Sequence, residues 1–345
     1  MNKERLYLFL VILISIFISA CSLNSYIDLK TASILPPPPT DPPAHFKIFI
    51  SHENGGVYSL RVNYLSGAVD QLQNIDIATS FGGPLVNLTN RGLFISTNQQ
   101  KLVVLHHDTR TVGFLGYNLS VATPATILFD AGGLTGFFGG CQLPNSNLVV
   151  GSDQWSGTKA NEYLSTGTLV RTFNTTQTFT FSDCVAISNA KVAWIDYDAL
   201  TDQNGDVVVS ELIAGTWTET GRYNTNAQLP GLVDSMWYSL VNHTDGNLYV
   251  FPFVSGVTRN KKVLRCSSTG NLSDCQLIGS DLSTLFPAID VIQGLAQLPG
   301  RSDIAFISDD EQLYLFNTSD LSIMKKADLS ALLTANTNSD KFVYY

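Results

Sequence analysis

The 345-residue chain is 44% hydrophobic and only 14% charged, with 20 Lys+Arg against 29 Asp+Glu for a formal net charge of −9. The length is enough to bury one large core. An acidic surface repels phosphate backbones and anionic headgroups, which argues against nucleic acid as a partner.

Lys3 and Arg5 open the chain, an apolar stretch runs from Leu6 to Ile18, and Ile18-Ser19-Ala20-Cys21 follows. Charge, apolar core and small residues in this order form the layout of a signal peptide. At about 1.5 Å per residue the stretch covers roughly 20 Å as a helix, short of the roughly 30 Å hydrocarbon core of a bilayer. The four residues ending at Cys21 resemble the lipobox of bacterial lipoproteins. The resemblance implies removal of residues 1–20, acylation of Cys21 with palmitate-type chains, and anchorage in the membrane of the cell envelope. Several acyl chains at about 0.8 kcal/mol per buried methylene make a stable anchor. Under the same resemblance Ser22, in place of Asp, favours the outer membrane, with the folded part in the periplasm or at the cell surface.

Residues 21–45 contain Pro36-Pro37-Pro38-Pro39-Thr40-Asp41-Pro42-Pro43. Fixed φ angles and missing backbone donors favour extended polyproline II there, a semi-rigid linker. The 46–345 span has no second linker or charge run and reads as one domain.

Within that span Phe49-Ile50-Ser51 recurs as Phe94-Ile95-Ser96 and Phe306-Ile307-Ser308, with weaker copies at Val150-Gly151-Ser152, Trp194-Ile195-Asp196 and Phe251-Pro252. Each closes a β-branched or aromatic run and precedes a polar turn. The anchors Ser51, Ser96, Ser152, Asp196, Pro252 and Ser308 are spaced by 45, 56, 44, 56 and 56 residues. A short apolar run precedes most anchors, as at Leu85–Leu88 and Trp237–Val241, and others follow, as at Lys101–Leu105, with fourth runs at Thr111–Leu115 and Gly215–Thr220. Four antiparallel strands in about 50 residues is the repeat of a propeller blade. Helix candidates such as Asp328–Leu333 are short.

Lys341–Tyr345 reads as a strand with no anchor after it, and the first anchor has no strand before it. Pairing the two completes the first blade and removes free sheet edges. The expected fold is therefore all-β, a six-bladed β-propeller of four-stranded antiparallel blades closed by the C-terminal strand, with seven blades as the alternative. The resemblance to the β-propeller class is architectural and spans nearly all of 46–345, and no specific propeller family's repeat is present.

The loops that follow the anchors gather at one end of such a fold. They carry Asp153, Trp155 and Lys159, then Asp196, Asp198 and Asp202, then Arg259 and Lys261, and finally Asp309 and Asp310. Long loops on a rigid scaffold carry function, and Trp155 in a polar loop suits an interface hot spot. Asp202-Gln203-Asn204-Gly205-Asp206 begins like a calcium loop, but Val207 stands where the loop glycine belongs and Ile213 where the bidentate Glu belongs. Asn204-Gly205 reads instead as a type I′ hairpin turn. The glycine-rich Gly132–Gly140 segment opens no helix and is explained by close strand packing rather than by phosphate binding.

Cys141, Cys184, Cys266 and Cys275 are an even set in an exported chain, which suggests disulfides with three possible pairings. The turn-rich segment between Cys266 and Cys275 favours that pair, leaving Cys141 with Cys184. The expected function is a non-catalytic binding or scaffolding module for an envelope protein or glycan, without cofactor. The alternatives are a metal-dependent propeller hydrolase or lactonase using Ca2+, and a glycan-binding propeller.

Overall fold

The computed structural model describes residues 44–51, 56–76, 90–96, 101–106, 111–116, 127–128, 137–152, 160–174, 180–197, 205–229, 237–252, 262–269, 272–282, 292–298, 300–308, 311–332 and 341–344. Ala44–Tyr345 is one compact unit; residues 1–43, Cys21 among them, lie outside the described residues.

The folded unit is all-β. In chain order its strands are β1 (His45–Ser51), β2 (Gly56–Asn63) and β3 (Val69–Asp76), then β4 (Asn90–Ser96), β5 (Lys101–His106), β6 (Thr111–Gly116) and β7 (Ile127–Leu128). Next come β8 (Phe137–Gln142), β9 (Leu148–Ser152), β10 (Ala160–Tyr163) and β11 (Leu169–Asn174), then β12 (Thr180–Ser188), β13 (Lys191–Tyr197), β14 (Gly205–Ile213) and β15 (Thr216–Tyr223). After the single helical turn α1 (Thr225–Gln228) follow β16 (Trp237–Asn242), β17 (Asn247–Pro252), β18 (Val263–Ser267) and β19 (Gln276–Ile278). The last are β20 (Ile292–Gln297), β21 (Asp303–Ser308), β22 (Gln312–Asn317), β23 (Ile323–Asp328) and β24 (Lys341–Tyr344). The expected helix near Asp328–Leu333 is absent: β23 runs to Asp328, and Ser330, Ala331 and Leu332 form a turn.

Strand pairing is antiparallel and sequential, giving sheets β24-β1-β2-β3, β4-β5-β6-β7, β16-β17-β18-β19 and β20-β21-β22-β23. A fifth sheet of eight strands, β12-β13-β14-β15-β11-β10-β9-β8, joins two such meanders where β11 and β15 run parallel over Phe173↔Trp217 and Asn174↔Thr218. Its edge strands β8 and β12 lie against each other, so it nearly closes on itself. The C-terminal strand pairs with the first, Ile48↔Tyr344 through Ser51↔Lys341.

The burial pattern explains which run became which strand. All six residues of β21, Asp-Ile-Ala-Phe-Ile-Ser, are buried, as expected of a strand covered on both faces. At the free edge of the same sheet β23, Ile-Met-Lys-Lys-Ala-Asp, is largely exposed and carries the lysines that discourage edge pairing. The core fills the spaces between successive sheets. Phe251, Phe306 and Phe316 belong to one cluster with Ile48 and Ile50, while Phe181, Trp194 and Trp217 belong to another with Cys141 and Cys184. Phe173 stacks on Trp217 at 4.9 Å and Phe181 on Trp194 at 4.8 Å. The glycines fit this density: a Cβ on Gly151 would stand 2.0 Å from the Phe181 ring, and one on Gly140 2.6 Å from the Val149 carbonyl.

The first strands of five of the meanders have a bulge at a corresponding place, between Asn90 and Gly92, Phe137 and Gly139, Phe181 and Asp183, Trp237 and Ser239, and Gln293 and Leu295. These same strands touch in sequence: β24 meets β4, β4 meets β8, and so on through β12, β16 and β20, which returns to β24. The repeat is thus present but not in the register expected from sequence. Ser51, Ser152, Asp196, Pro252 and Ser308 fall at or beside the ends of second strands, whereas Ser96 ends β4, a first strand. His106 occupies the matching position, opposite Asn90, and Thr111–Gly116 is the third strand of its sheet rather than the fourth.

Cys141 is bonded to Cys184, and Cys266 to Cys275, the pairing favoured from the sequence. The first ties β8 to β12; the second staples the β18–β19 connection. Two disulfides mark a chain that folds in an oxidising compartment outside the cytoplasm. The Cys141–Cys184 bridge spans 43 residues and the Cys266–Cys275 bridge 9. Chain-entropy loss in the unfolded state gives about 4 kcal/mol for the longer loop and about 2.7 kcal/mol for the shorter. Urea unfolding of the two paired Cys→Ala variants should therefore rank the loss of Cys141–Cys184 as the larger; equal losses or the reverse order would contradict this.

Candidate functional site

Antiparallel pairing sends consecutive connections to opposite ends of a sheet. The connections after Ser51, Ser152, Asp196, Pro252 and Ser308 leave the ends of second strands, at the end opposite the one after Ser96. Of the candidates placed there, Asp153, Trp155, Lys159, Asp198, Asp202, Arg259, Lys261, Asp309 and Asp310 lie outside the described residues, and Asp196 lies within them.

Asp196 is 2% exposed and belongs to an ion cluster. Arg222 Nη1 donates to Asp196 Oδ2 at 2.8 Å and to Asp206 Oδ2 at 2.9 Å, while Nε and Nη2 each donate to Glu219 at 2.8 Å. Burial pushes the Asp196 carboxyl up to about 6, opposed by Arg222 and reinforced by the neighbouring carboxylates of Asp206 and Glu219. Asp206 Oδ1 also accepts the Thr225 N–H at 2.9 Å, and the Thr225 hydroxyl donates to the Gly205 carbonyl and accepts from Trp237 Nε1. Asp206, the last carboxylate of the would-be calcium loop, is thus committed to an arginine and a helical turn.

The expected two-residue turn at Asn204-Gly205 is corrected as well. Gly205 is the first residue of β14, paired with Tyr197, and the connection is residues 198–204. A Cβ on Gly205 would stand 3.1 Å from the Trp237 backbone nitrogen, so glycine serves the close approach of β16 there.

At the other end, turns among the described residues knit neighbouring meanders together. The Asn145 N–H donates to Asn189 Oδ1 at 2.7 Å, and Tyr64 Oη donates to Asp303 Oδ2 at 2.8 Å. Here a groove of about 870 Å³ opens between the β16–β19 and β20–β23 sheets, its lining including His243, Asp245, Gln297, Arg301, Ser302 and Ser319.

One wall is the β16–β17 turn. Asp245 Oδ1 accepts the Asn247 N–H at 2.9 Å and lies 3.0 Å from His243 Nδ1, while Oδ2 accepts from Tyr249 Oη at 2.7 Å. Burial pushes Asp245 up, but the bonds from Tyr249, Asn247 and His243 outweigh it and hold the carboxyl below the usual carboxylate range. Burial and the bond to Asp245 push the Tyr249 phenol up to about 12. The His243 ring meets Tyr249 edge-on at 5.5 Å, and its buried Nε2 has no hydrogen-bond partner. Gln297 crosses between the sheets: its Oε1 accepts from the Thr244 N–H at 3.0 Å and its Nε2 donates to the Thr244 hydroxyl at 2.6 Å.

The opposite wall carries Arg301, whose guanidinium carbon sits 3.4 Å from the Tyr64 ring centroid. Stacking over the ring fixes the guanidinium plane. Lys326 Nζ lies 4.8 Å from the same ring, and Asp303 is held by Tyr64 and, at 3.0 Å, by Asn317 Nδ2. A Cβ on Gly67 would stand 2.1 Å from the Lys326 carbonyl, so the β2–β3 turn reaches this cluster only because glycine stands there. Sequence reasoning did not find the groove. Its trace was a pair of turns, His243-Thr244-Asp245-Gly246 and Pro299-Gly300-Arg301-Ser302, each rich in side chains that bond.

No protein-family model matches the chain, and no curated protein matches its sequence. Among the described residues no three His, Cys, Asp or Glu side chains gather as a metal site, and no helix is long and apolar enough to cross a membrane.

The Asp196 cluster has a defined pH signature. A folded-state pKa raised from about 3.9 gives stability that is present below pH ~4 and lost as pH rises through ~6. Relative to the parent, Asp196→Asn should gain about 2 kcal/mol between pH 4.5 and pH 7.5, because the neutral amide removes that titration. Urea unfolding at the two pH values checks it; a variant that instead loses ground at pH 7.5 would mean that the Arg222 pairing outweighs burial.

Proposed function

We propose that the chain is a lipid-anchored envelope lipoprotein whose folded part, a six-bladed propeller, is a binding module rather than an enzyme. The cycle of first-strand contacts and the bulge repeated in five of those strands support six four-stranded blades. The pairing of β24 with β1 supports closure by the C-terminal strand. The disulfides fit an exported protein.

The groove is the observation that carries the binding reading. Three ionisable groups at its walls are set for holding rather than for proton transfer: Asp245 is kept low by its donors, Tyr249 is pushed to about 12, and Arg301 is pinned on Tyr64. A general acid or base works best with a pKa near the operating pH, and these groups are tuned away from it. Fixed donors and acceptors around a concave space are what a specific ligand site needs.

The anchor is tested by growing cells with an alkyne fatty acid. The parent protein should incorporate label and partition into detergent, and Cys21→Ser should do neither. A Cys21→Ser protein that is still labelled, or a parent that stays unlabelled and aqueous, would overturn the lipoprotein reading. Crosslinking in the native envelope, with the 153–159 connection between β9 and β10 shortened in a parallel sample, tests docking at the anchor end: a stoichiometric protein partner lost on shortening supports it, and the same capture by both forms contradicts it.

A further inference from the structure

We infer that the folded part rests on the surface of the bilayer that holds its lipid, through an apolar rim led by Leu65 at the corner where the chain enters the fold. The inference rests on the lipoprotein and propeller readings above and adds how the folded part meets the membrane.

Five large apolar side chains are exposed among the described residues: Leu65, Leu164, Leu169, Ile213 and Met324. Exposed leucines scattered singly are ordinary. These five share one kind of place. Leu65 and Leu164 lie in the β2–β3 and β10–β11 turns, Leu169 opens β11, Ile213 ends β14, and Met324 is the second residue of β23. Each therefore sits at a connection between the third and fourth strands of its meander, the end opposite the loops that follow the second strands. Third and fourth strands are the outer ones of a blade, so in a propeller these side chains are points around the rim of one face.

Leu65 is the most prominent, at 83% exposed. Its turn is tightly built: Asn63 Oδ1 accepts the Leu65 and Ser66 N–H groups, and the Gly67 N–H donates to the Asn63 carbonyl. Asn317 builds the same turn between β22 and β23, with Ser319 at the place of Leu65. The turn thus does not require a leucine, and water would favour the serine. Lys326 Nζ donates to the Leu65 carbonyl at 3.4 Å, and Gly67 lies against the Lys326 carbonyl, so the turn abuts β23 two residues from Met324.

The chain enters the fold at this same corner. The Ala44 carbonyl accepts the Tyr64 N–H at 2.8 Å, and Asn63 Nδ2 lies 3.1 Å from His45 Nε2. The 22–43 segment joins the fold here, so a lipid on Cys21 brings this end, rather than the opposite one, toward the bilayer. A contact held at high effective concentration by a lipid needs little affinity of its own. Each leucine-sized side chain favours an apolar phase by about tenfold or more, and several around a rim also fix orientation. The contact is apolar rather than ionic. Beside the turn Arg61 is paired with Asp70 at 3.0 Å, and the formal charge of −9 sets the chain against an anionic surface, which leaves zwitterionic headgroups as the layer it meets.

With Cys21 acylated and the other four cysteines in disulfides, a new cysteine is the one reactive thiol. Ser66→Cys, beside Leu65, and Gln228→Cys, on α1 after β15 at the opposite end, replace exposed residues. Each would carry a nitrobenzoxadiazole fluorophore in the full-length lipidated protein, reconstituted into phosphatidylcholine vesicles that contain spin-labelled phosphatidylcholine.

The label at 66 should be blue-shifted and quenched by the spin label, and the label at 228 should show neither effect. Adding Leu65→Ser and Met324→Ser should abolish both signals at 66, with vesicle association and melting temperature kept. The inference is overturned if the label at 66 is quenched no more than the label at 228, or if the double substitution leaves the quenching intact. A blue shift without quenching also overturns it, since the rim would then lie against protein, such as a second copy of the chain. A parent that does not float with the vesicles sinks the lipoprotein reading and this inference with it; a parent that floats with its two ends equally quenched sinks this inference alone.

Discussion

The pairing of β24 with β1 is the contact on which the rest of the fold depends. Ile48, Phe49 and Ile50 are fully buried, and they belong to a strand whose one flank is covered only by residues from the far end of the chain. Burial of side chains of this size is worth roughly 2–3 kcal/mol each, but only once both neighbours of β1 are in place. Because β24 touches β4 and β20 as well as β1, it links the first and last sheets of the cycle. Loop closure over so many residues costs little more than over fewer, since the entropy grows only with the logarithm of length. It does make the defining contact a late one to form.

A second layer of order comes from the turns. Asn63 and Asn317 each fold their side chain back onto two backbone N–H groups at the start of the third turns of neighbouring sheets, the β2–β3 and β22–β23 connections. The same end of the molecule carries the bridges between neighbouring meanders, from Asn145 to Asn189, from Thr244 to Gln297 and from Tyr64 to Asp303. These polar staples hold the apolar layers in register where their hydrophobic contacts run out. The groove lined by His243, Asp245, Gln297 and Arg301 lies among these bridges.

What could be read from the sequence followed from local chemistry. β-branched and aromatic runs bounded by turn residues marked the strands, and the turn-rich interval between Cys266 and Cys275 marked one disulfide. The Phe-Ile-Ser recurrence marked a real repeat, yet it misplaced Ser96, because a buried first strand and a buried second strand carry the same apolar pattern and only pairing distinguishes them. The bulges that mark the first strands were invisible for the same reason, since one extra residue leaves no compositional signal. Asp206 sits in a stretch that begins like a calcium loop but lacks its glycine and bidentate Glu, and its carboxylate pairs with Arg222 on the next strand. The groove was illegible because its walls come from turns 53 residues apart, and the bond between Thr244 and Gln297 depends on two sheets having already met. The anchor loops with Asp153, Trp155 and their companions lie outside the described residues.

Closure is open to a direct chemical test. Ser51 and Lys341 are register partners at the end of the β1–β24 ladder, and antiparallel partners stand within the span a disulfide can bridge. Peptide mapping of a Ser51→Cys/Lys341→Cys variant under non-reducing conditions should find a crosslink between positions 51 and 341 beside the two native disulfides, with a raised melting temperature. Two free thiols at those positions in a folded protein whose native disulfides are intact would contradict the closure of the fold by its C-terminal strand.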